Sequence, residues 1–101
     1  MTDARANANR WLAAAREDLD SARYLASGGR HAPACFFAQQ AAEKAIKALH
    51  YGQGARSVIG HNVRVLVEKL SPRIATLDAL GDAARELDLF YVPTRYPNGL
   101  D

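Results

Sequence analysis

The sequence predicts an all-α protein, folded as an up-and-down antiparallel bundle of four helices. About a fifth of the 101 residues are alanine, the strongest helix former. Valine, isoleucine and threonine, which favour strands, are sparse. Apolar residues recur every three or four positions in four segments separated by turn signals, and four such helices with short connections favour a bundle.

The first helix is predicted over Asn9–Ala26, after an N-terminal tail of residues 1–8. Ser27-Gly28-Gly29 ends it, because glycine readily adopts the left-handed conformation that follows a helix. The charged side chains lie off a single apolar stripe, which consists of Trp11, Ala15, Leu19, Ala22 and Leu25.

The second helix is predicted over Pro33–Tyr51, with proline in the first turn, where its missing N–H costs nothing. Its apolar positions form two adjacent stripes. An arc this wide can cover the core and still leave a surface for another chain, so burial within the chain and an interface are equally open. The stripes are Phe37, Ala41, Ala45 and Ala48, and Ala38, Ala42, Ile46 and Leu49.

The rest of the predicted domain, which spans residues 9–101, contains two more helices. Gly52–Gly60 is predicted to be a loop. A short helix follows over Asn62–Leu70, and a longer one over Pro72–Tyr91 ends before Pro93, since the residue before proline disfavours helical geometry. The polar C-terminal tail is Pro93–Asp101. The inward positions are Val63, Leu66, Val67 and Leu70, then Ile74, Leu77, Leu80, Ala84, Leu87 and Tyr91.

Composition excludes several classes of protein. The net charge of +2 and pI of about 8.9 do not suggest a domain that coats nucleic acid. No apolar run is long enough to span a bilayer, and the N-terminus has no apolar signal core, so export is not expected. A single cysteine, Cys35, fits a reducing cytoplasm. No residue spacing indicates a metal site, a cofactor or a catalytic triad, and His31 and His50 are predicted to be surface residues.

One edge of the second helix carries Gln40, Lys44 and Lys47. It is either a solvated edge supported by the favourable Glu43–Lys47 pair, or a polar strip that binds a phosphate or a partner. His61, before the third helix, either caps or packs, or exchanges a proton near neutral pH.

The C-terminal segment places Tyr91, Arg95 and Tyr96 close together in sequence. Aromatic rings beside a guanidinium suit stacking on a base and pairing with its phosphate. They equally suit a structural clamp that holds the tail on the bundle.

Four segments, in this order, resemble HEPN (higher eukaryotes and prokaryotes nucleotide-binding) domains. They are Trp11–Leu25, the block Gln40–Ala48, Gly60-His61-Asn62 and the segment Phe90–Pro97. The resemblance covers nearly the whole chain. It implies a helical bundle that commonly dimerises and is often encoded beside a small nucleotidyltransferase, as a toxin–antitoxin pair.

Many HEPN proteins are metal-independent ribonucleases. The resemblance implies that such ribonucleases use an arginine together with a histidine that follows it by four to six residues. Here no histidine follows Arg85 or Arg95, and the pair Arg56 and His61 lies before the third helix, so enzymatic activity is not predicted. Such domains usually continue into another helix. If that final helix is missing here, the exposed apolar surface would favour association.

The sequence therefore predicts a nucleotide- or RNA-phosphate-binding module that forms a homodimer and pairs with a nucleotidyltransferase. Lys44 and Arg95 are expected to meet in one pocket. The alternatives are a ribonuclease toxin of the same fold and a purely structural dimerising protein. The predicted contact residues are Lys44, Lys47, His61, Tyr91, Arg95 and Tyr96.

Overall fold

A computed structural model describes residues 3–70, 74, 77 and 81–89. This part of the chain contains helices and no strands, which confirms the predicted all-helical class. The complete up-and-down arrangement stays a prediction. The helices are α1 (Ala4–Ser27), α2 (His31–Gly52), α3 (Val63–Glu68) and α4 (Gly81–Asp88).

Helix α1 begins at Ala4 rather than Asn9, so most of the predicted N-terminal tail is helical. The reason is a cap: an Asp3 carboxylate oxygen accepts a hydrogen bond from Ala6 N at 3.1 Å. The predicted end is confirmed, since Ser27 is the last helical residue and Gly29 has a φ of +78°.

Helices α1 and α2 run antiparallel. Near the connecting turn, Ala26 and His31 line the same hollow, and at the far end a Cβ built on Gly52 would lie 3.6 Å from the Ala8 Cβ. Buried alanines such as Ala15 and Ala41 have little side-chain volume. The two backbones can therefore pack closely along their full length.

The core lies between α2, α3 and α4. Asn62 caps α3, because its Oδ1 accepts a hydrogen bond from Val65 N at 2.9 Å. All four predicted inward residues around α3 are buried, which confirms the assignment. The core residues are Ile46, Val63, Leu66, Val67, Leu70 and Ala84.

His50 is not the surface residue that the sequence predicted. It is half-buried, and its Nε2 lies 2.7 Å from the backbone oxygen of Leu66. The imidazole joins the C-terminal part of α2 to α3.

Helix α4 lies inside the predicted span Pro72–Tyr91 but ends at Asp88, with Leu89 in a turn. The predicted end was too late. The carboxylate of Asp88 accepts a hydrogen bond from Val63 N at 2.7 Å, so the end of α4 is fastened to the start of α3. The predicted start at Pro72, Leu80 and the C-terminal tail lie outside the described residues.

Candidate functional site

A buried polar stripe runs along α2. Gln39, Glu43 and Lys47 recur every four residues, a spacing that places them on one face of the helix. Their exposed fractions are only 0%, 4% and 5%. Buried polar groups are costly unless they are paired, so their partners define the site.

Glu43 is the centre of a group that we call the Glu43 cluster, made of Glu43, Lys47 and His61. Lys47 Nζ donates to Glu43 Oε2 at 3.0 Å. His61 Nδ1 lies 3.3 Å from both carboxylate oxygens of Glu43. The side chains of Glu43 and Lys47 are 5% and 7% exposed, whereas that of His61 is 57% exposed. A buried carboxylate thus supports an imidazole at the surface.

An aromatic pair, Trp11 of α1 and Tyr51 of α2, lies beside this cluster. Lys47 Nζ lies 5.5 Å from the ring centre of Trp11, within cation–π range. The Trp11 ring stacks on Tyr51 with centroids 5.4 Å apart. The Lys47 side chain is 7% exposed, so its ammonium group is largely shielded from water, which strengthens its attraction to Glu43.

The charges of the cluster suit an anionic ligand. Lys47 compensates the carboxylate of Glu43, so an anion that approaches His61 meets no net negative charge from this pair. Protonation of the imidazole would add one positive charge. The same imidazole, oriented by a carboxylate, can accept or donate a proton.

Gly60 determines the backbone conformation immediately before His61. Its φ of +118° is a conformation that L side chains rarely adopt, although a Cβ added at this residue would meet nothing within 4 Å. Gly60→Ala is therefore expected to lower the free energy of unfolding by about 1–3 kcal/mol through backbone strain alone. Urea denaturation measures the loss.

Gly28→Ala is the matched control, because Gly28 has a φ of −92°. That substitution is expected to be neutral or to stabilise the protein by about 0.4–1 kcal/mol. Equal stabilities of Gly60→Ala and Gly28→Ala would contradict the claim that the backbone before His61 needs a glycine.

The structure places two of the predicted contact residues against the same carboxylate, whereas a third is paired with a different residue. Lys47 and His61 share Glu43. Lys44 Nζ instead pairs with Asp18 Oδ2 of α1 at 2.6 Å. Tyr91, Arg95 and Tyr96 lie outside the described residues, so the pocket between Lys44 and Arg95 stays a prediction.

Sequence reasoning missed the central residue. The i,i+4 spacing of Glu43 and Lys47 predicts only a helix-supporting pair, and it assigns no role to Gln39 or Asp88. The available signal was the spacing of Gln39, Glu43 and Lys47 within a helix whose other inward positions are apolar. That spacing indicates a polar face turned inward.

The described residues contain neither a candidate metal site nor a candidate membrane-spanning helix. No group of three or more histidine, cysteine or acidic side chains in residues 3–70 and 81–89 could hold a metal ion. Within the part of the chain that the structure describes, no helix is both long enough and apolar enough to cross a membrane.

Comparisons with known proteins place the chain in a family. The crystal structure of TT1696 from Thermus thermophilus is similar, with a TM-score of 0.84 and 41% sequence identity, and the match covers 91% of this chain and 72% of that chain. No curated protein matches the sequence. Residues 8–101 match the family described as HEPN domain. The chain therefore belongs to the HEPN domain family.

Proposed function

We propose that this HEPN domain binds the phosphate of a nucleotide or of RNA at the exposed imidazole of His61. The observation that carries the proposal is the contact of this imidazole with the buried carboxylate of Glu43. With Nδ1 held at this carboxylate, the Nε2–H of a protonated imidazole can donate a hydrogen bond to a phosphate oxygen. Membership of a nucleotide- and RNA-related family supports the same ligand class.

The other predicted contact residues have distinct parts in this proposal. Lys47 acts by compensating Glu43, since its ammonium group is buried. Lys44 is 29% exposed and can turn from Asp18 to a phosphate at the surface. Arg95 is proposed to pair with a phosphate, and Tyr91 and Tyr96 are proposed to stack on a base.

Binding of a fluorescently labelled nucleoside monophosphate and of a short labelled RNA tests the proposal. His61→Ala is expected to weaken binding by about tenfold or more, because a charged hydrogen bond contributes about 1.5–3 kcal/mol. Arg95→Ala is expected to weaken binding as well. Fluorescence anisotropy measures both losses.

His31→Ala is the matched control, since His31 is exposed at the start of α2 and outside the Glu43 cluster. It is expected to bind as the wild type does. Equal affinity of the wild type and His61→Ala, or no binding by either, would refute phosphate binding at this position.

We further propose a cytoplasmic toxin–antitoxin context in which a small nucleotidyltransferase is the partner. Family membership and the single cysteine support it. The neighbouring reading frame gives the direct test: a small nucleotidyltransferase gene is expected there, and an unrelated neighbour would count against the pairing.

We propose that the chain forms a homodimer, as HEPN domains often do. An apolar hollow of about 420 Å³ lies between α1 and α2, bordered by Leu87 of α4. We call it the α1–α2 groove. Leu12 and Leu19, on its edge, remain 38% and 39% exposed. In a two-fold dimer, leucines of one protomer could enter the alanine-lined groove of the other. Its alanines are Ala15, Ala38, Ala41, Ala42 and Ala45.

A metal-independent ribonuclease is the second candidate function. The observation that favours it is the carboxylate-supported imidazole, an arrangement that can transfer the proton of an RNA 2′-hydroxyl. This candidate predicts that purified protein cleaves RNA in EDTA and that His61→Ala abolishes cleavage. Intact RNA after incubation with the wild type would eliminate the nuclease and leave the binding module.

A further inference from the structure

Gln39 is the most deeply buried polar side chain among the described residues, with an exposed fraction of 0%. Its Nε2 donates to the backbone oxygen of His61 at 2.8 Å. Its Oε1 accepts a hydrogen bond from Gln40 Nε2 at 2.7 Å. The amide thus bridges the middle of α2 and the backbone of the residue whose imidazole contacts Glu43.

Asp88 holds the same segment from α4. One carboxylate oxygen accepts from Val63 N at 2.7 Å, and the other accepts from Arg64 N at 3.2 Å. Gln39 Nε2 lies 3.5 Å from the first of these oxygens. Residues 61–64 are therefore fastened on both sides, by an amide of α2 and by a carboxylate of α4.

Burial of an amide within a helical core has a desolvation cost that leucine, of similar size, would avoid. What leucine cannot supply is a donor to the His61 oxygen. The same helix face carries Glu43 one turn further on, so the bond from Gln39 fixes the backbone of His61 directly beside the carboxylate that its imidazole meets. The hydrogen bonds of Gln39 are therefore suited to holding the backbone of His61 in place.

We propose that Gln39 and Asp88 are positioning residues, which hold the backbone of residues 61–64 so that the imidazole of His61 stays on Glu43. The inference extends the proposed function, because a phosphate at His61 depends on this orientation. The positioning itself does not depend on ligand binding. Supporting residues of this kind typically alter affinity through the group that they orient.

The tautomer of the neutral His61 imidazole, measured from long-range ¹H–¹⁵N NMR spectra, tests the positioning without any ligand. In the wild type the proton is expected on Nδ1, where it faces the carboxylate of Glu43. Gln39→Leu, which retains the volume and removes the donor, is expected to move the population toward the Nε2–H form. Asp88→Asn, the milder second variant because one acceptor remains, is expected to shift it the same way by less.

Val67→Ala controls for general loosening, since this core residue lies outside residues 61–64 and its aliphatic side chain cannot hydrogen-bond to Gln39 or Asp88. It is expected to lower stability and keep the wild-type tautomer. Wild-type spectra for folded Gln39→Leu and Asp88→Asn would overturn the proposal. If Gln39→Leu does not fold, an unchanged tautomer in Asp88→Asn overturns it alone.

Affinity for a labelled nucleoside monophosphate separates this inference from the proposed function. Gln39→Leu is expected to bind about tenfold more weakly than the wild type. A tautomer shift without any nucleotide binding by the wild type would support the positioning and refute phosphate binding. Nucleotide binding by the wild type with no tautomer shift in the variants would support phosphate binding and refute the positioning role.

Discussion

Lys47→Met is expected to lower the free energy of unfolding by about 3–5 kcal/mol, because it leaves the carboxylate of Glu43 buried without its ammonium partner. The side chains of Lys47 and Glu43 are only 7% and 5% exposed, so water cannot replace the lost contact. A domain of this size has a total stability of about 5–15 kcal/mol. The substitution therefore removes a large share of it, which urea denaturation measures.

Two controls separate this effect from loss of side-chain packing. The double variant Glu43→Leu/Lys47→Met removes both charges and is expected to regain most of the loss, because an apolar pair avoids the desolvation cost. Arg64→Met breaks an exposed i,i+4 pair with Glu68, whose side chains are 38% and 50% exposed, and is expected to cost about 1 kcal/mol or less. Equal losses for Lys47→Met and Arg64→Met would contradict a buried ion pair at Glu43.

Leu19→Asp is expected to raise the dissociation constant of the proposed homodimer by about 100-fold or more. Burial of the exposed 39% of Leu19 contributes about 0.6–1.2 kcal/mol in each protomer, and a carboxylate placed in an apolar contact adds a desolvation penalty. Leu19 borders the α1–α2 groove, and most of its side chain is already covered in the monomer, so thermal unfolding of the variant checks that the monomer stays folded. Sedimentation velocity measures the shift from dimer to monomer.

Tyr24→Asp is the matched control on the same helix. Tyr24 is 81% exposed and does not border the α1–α2 groove. This variant is expected to sediment as the wild type does. A dimer that persists in Leu19→Asp, or a wild type that is monomeric at all concentrations, would rule out association through this groove.

Hydrophobic periodicity predicted the helices whose apolar faces pack into the core. The inward face of α3 was predicted correctly, because Val63, Leu66 and Val67 lie in one cluster with residues of α2 and α4. Boundaries were less predictable where polar side chains decide them. Asp3 caps an earlier start of α1, and Asp88, the last residue of α4, binds the start of α3. Hydrophobic spacing predicts neither contact.

Contacts between helices that are distant in sequence account for what was missed at the site. The Glu43–Lys47 spacing is common on solvated helix faces, so it indicates burial only once the positions of Trp11 and His61 are known. His50 looked equally isolated, yet its partner is a backbone oxygen of α3, which has no sequence signature. Lys44 is half-buried, and its pairing with Asp18 depends on the packing of α1, which the sequence does not show.

The imidazole resonances of His61, followed while a nucleoside monophosphate is added, test most directly whether phosphate binds beside Glu43. The account predicts a saturable shift of the His61 resonances, a reduced response in Glu43→Gln, and no shift at His31. Unchanged His61 resonances at nucleotide concentrations that saturate binding elsewhere on the protein would contradict it.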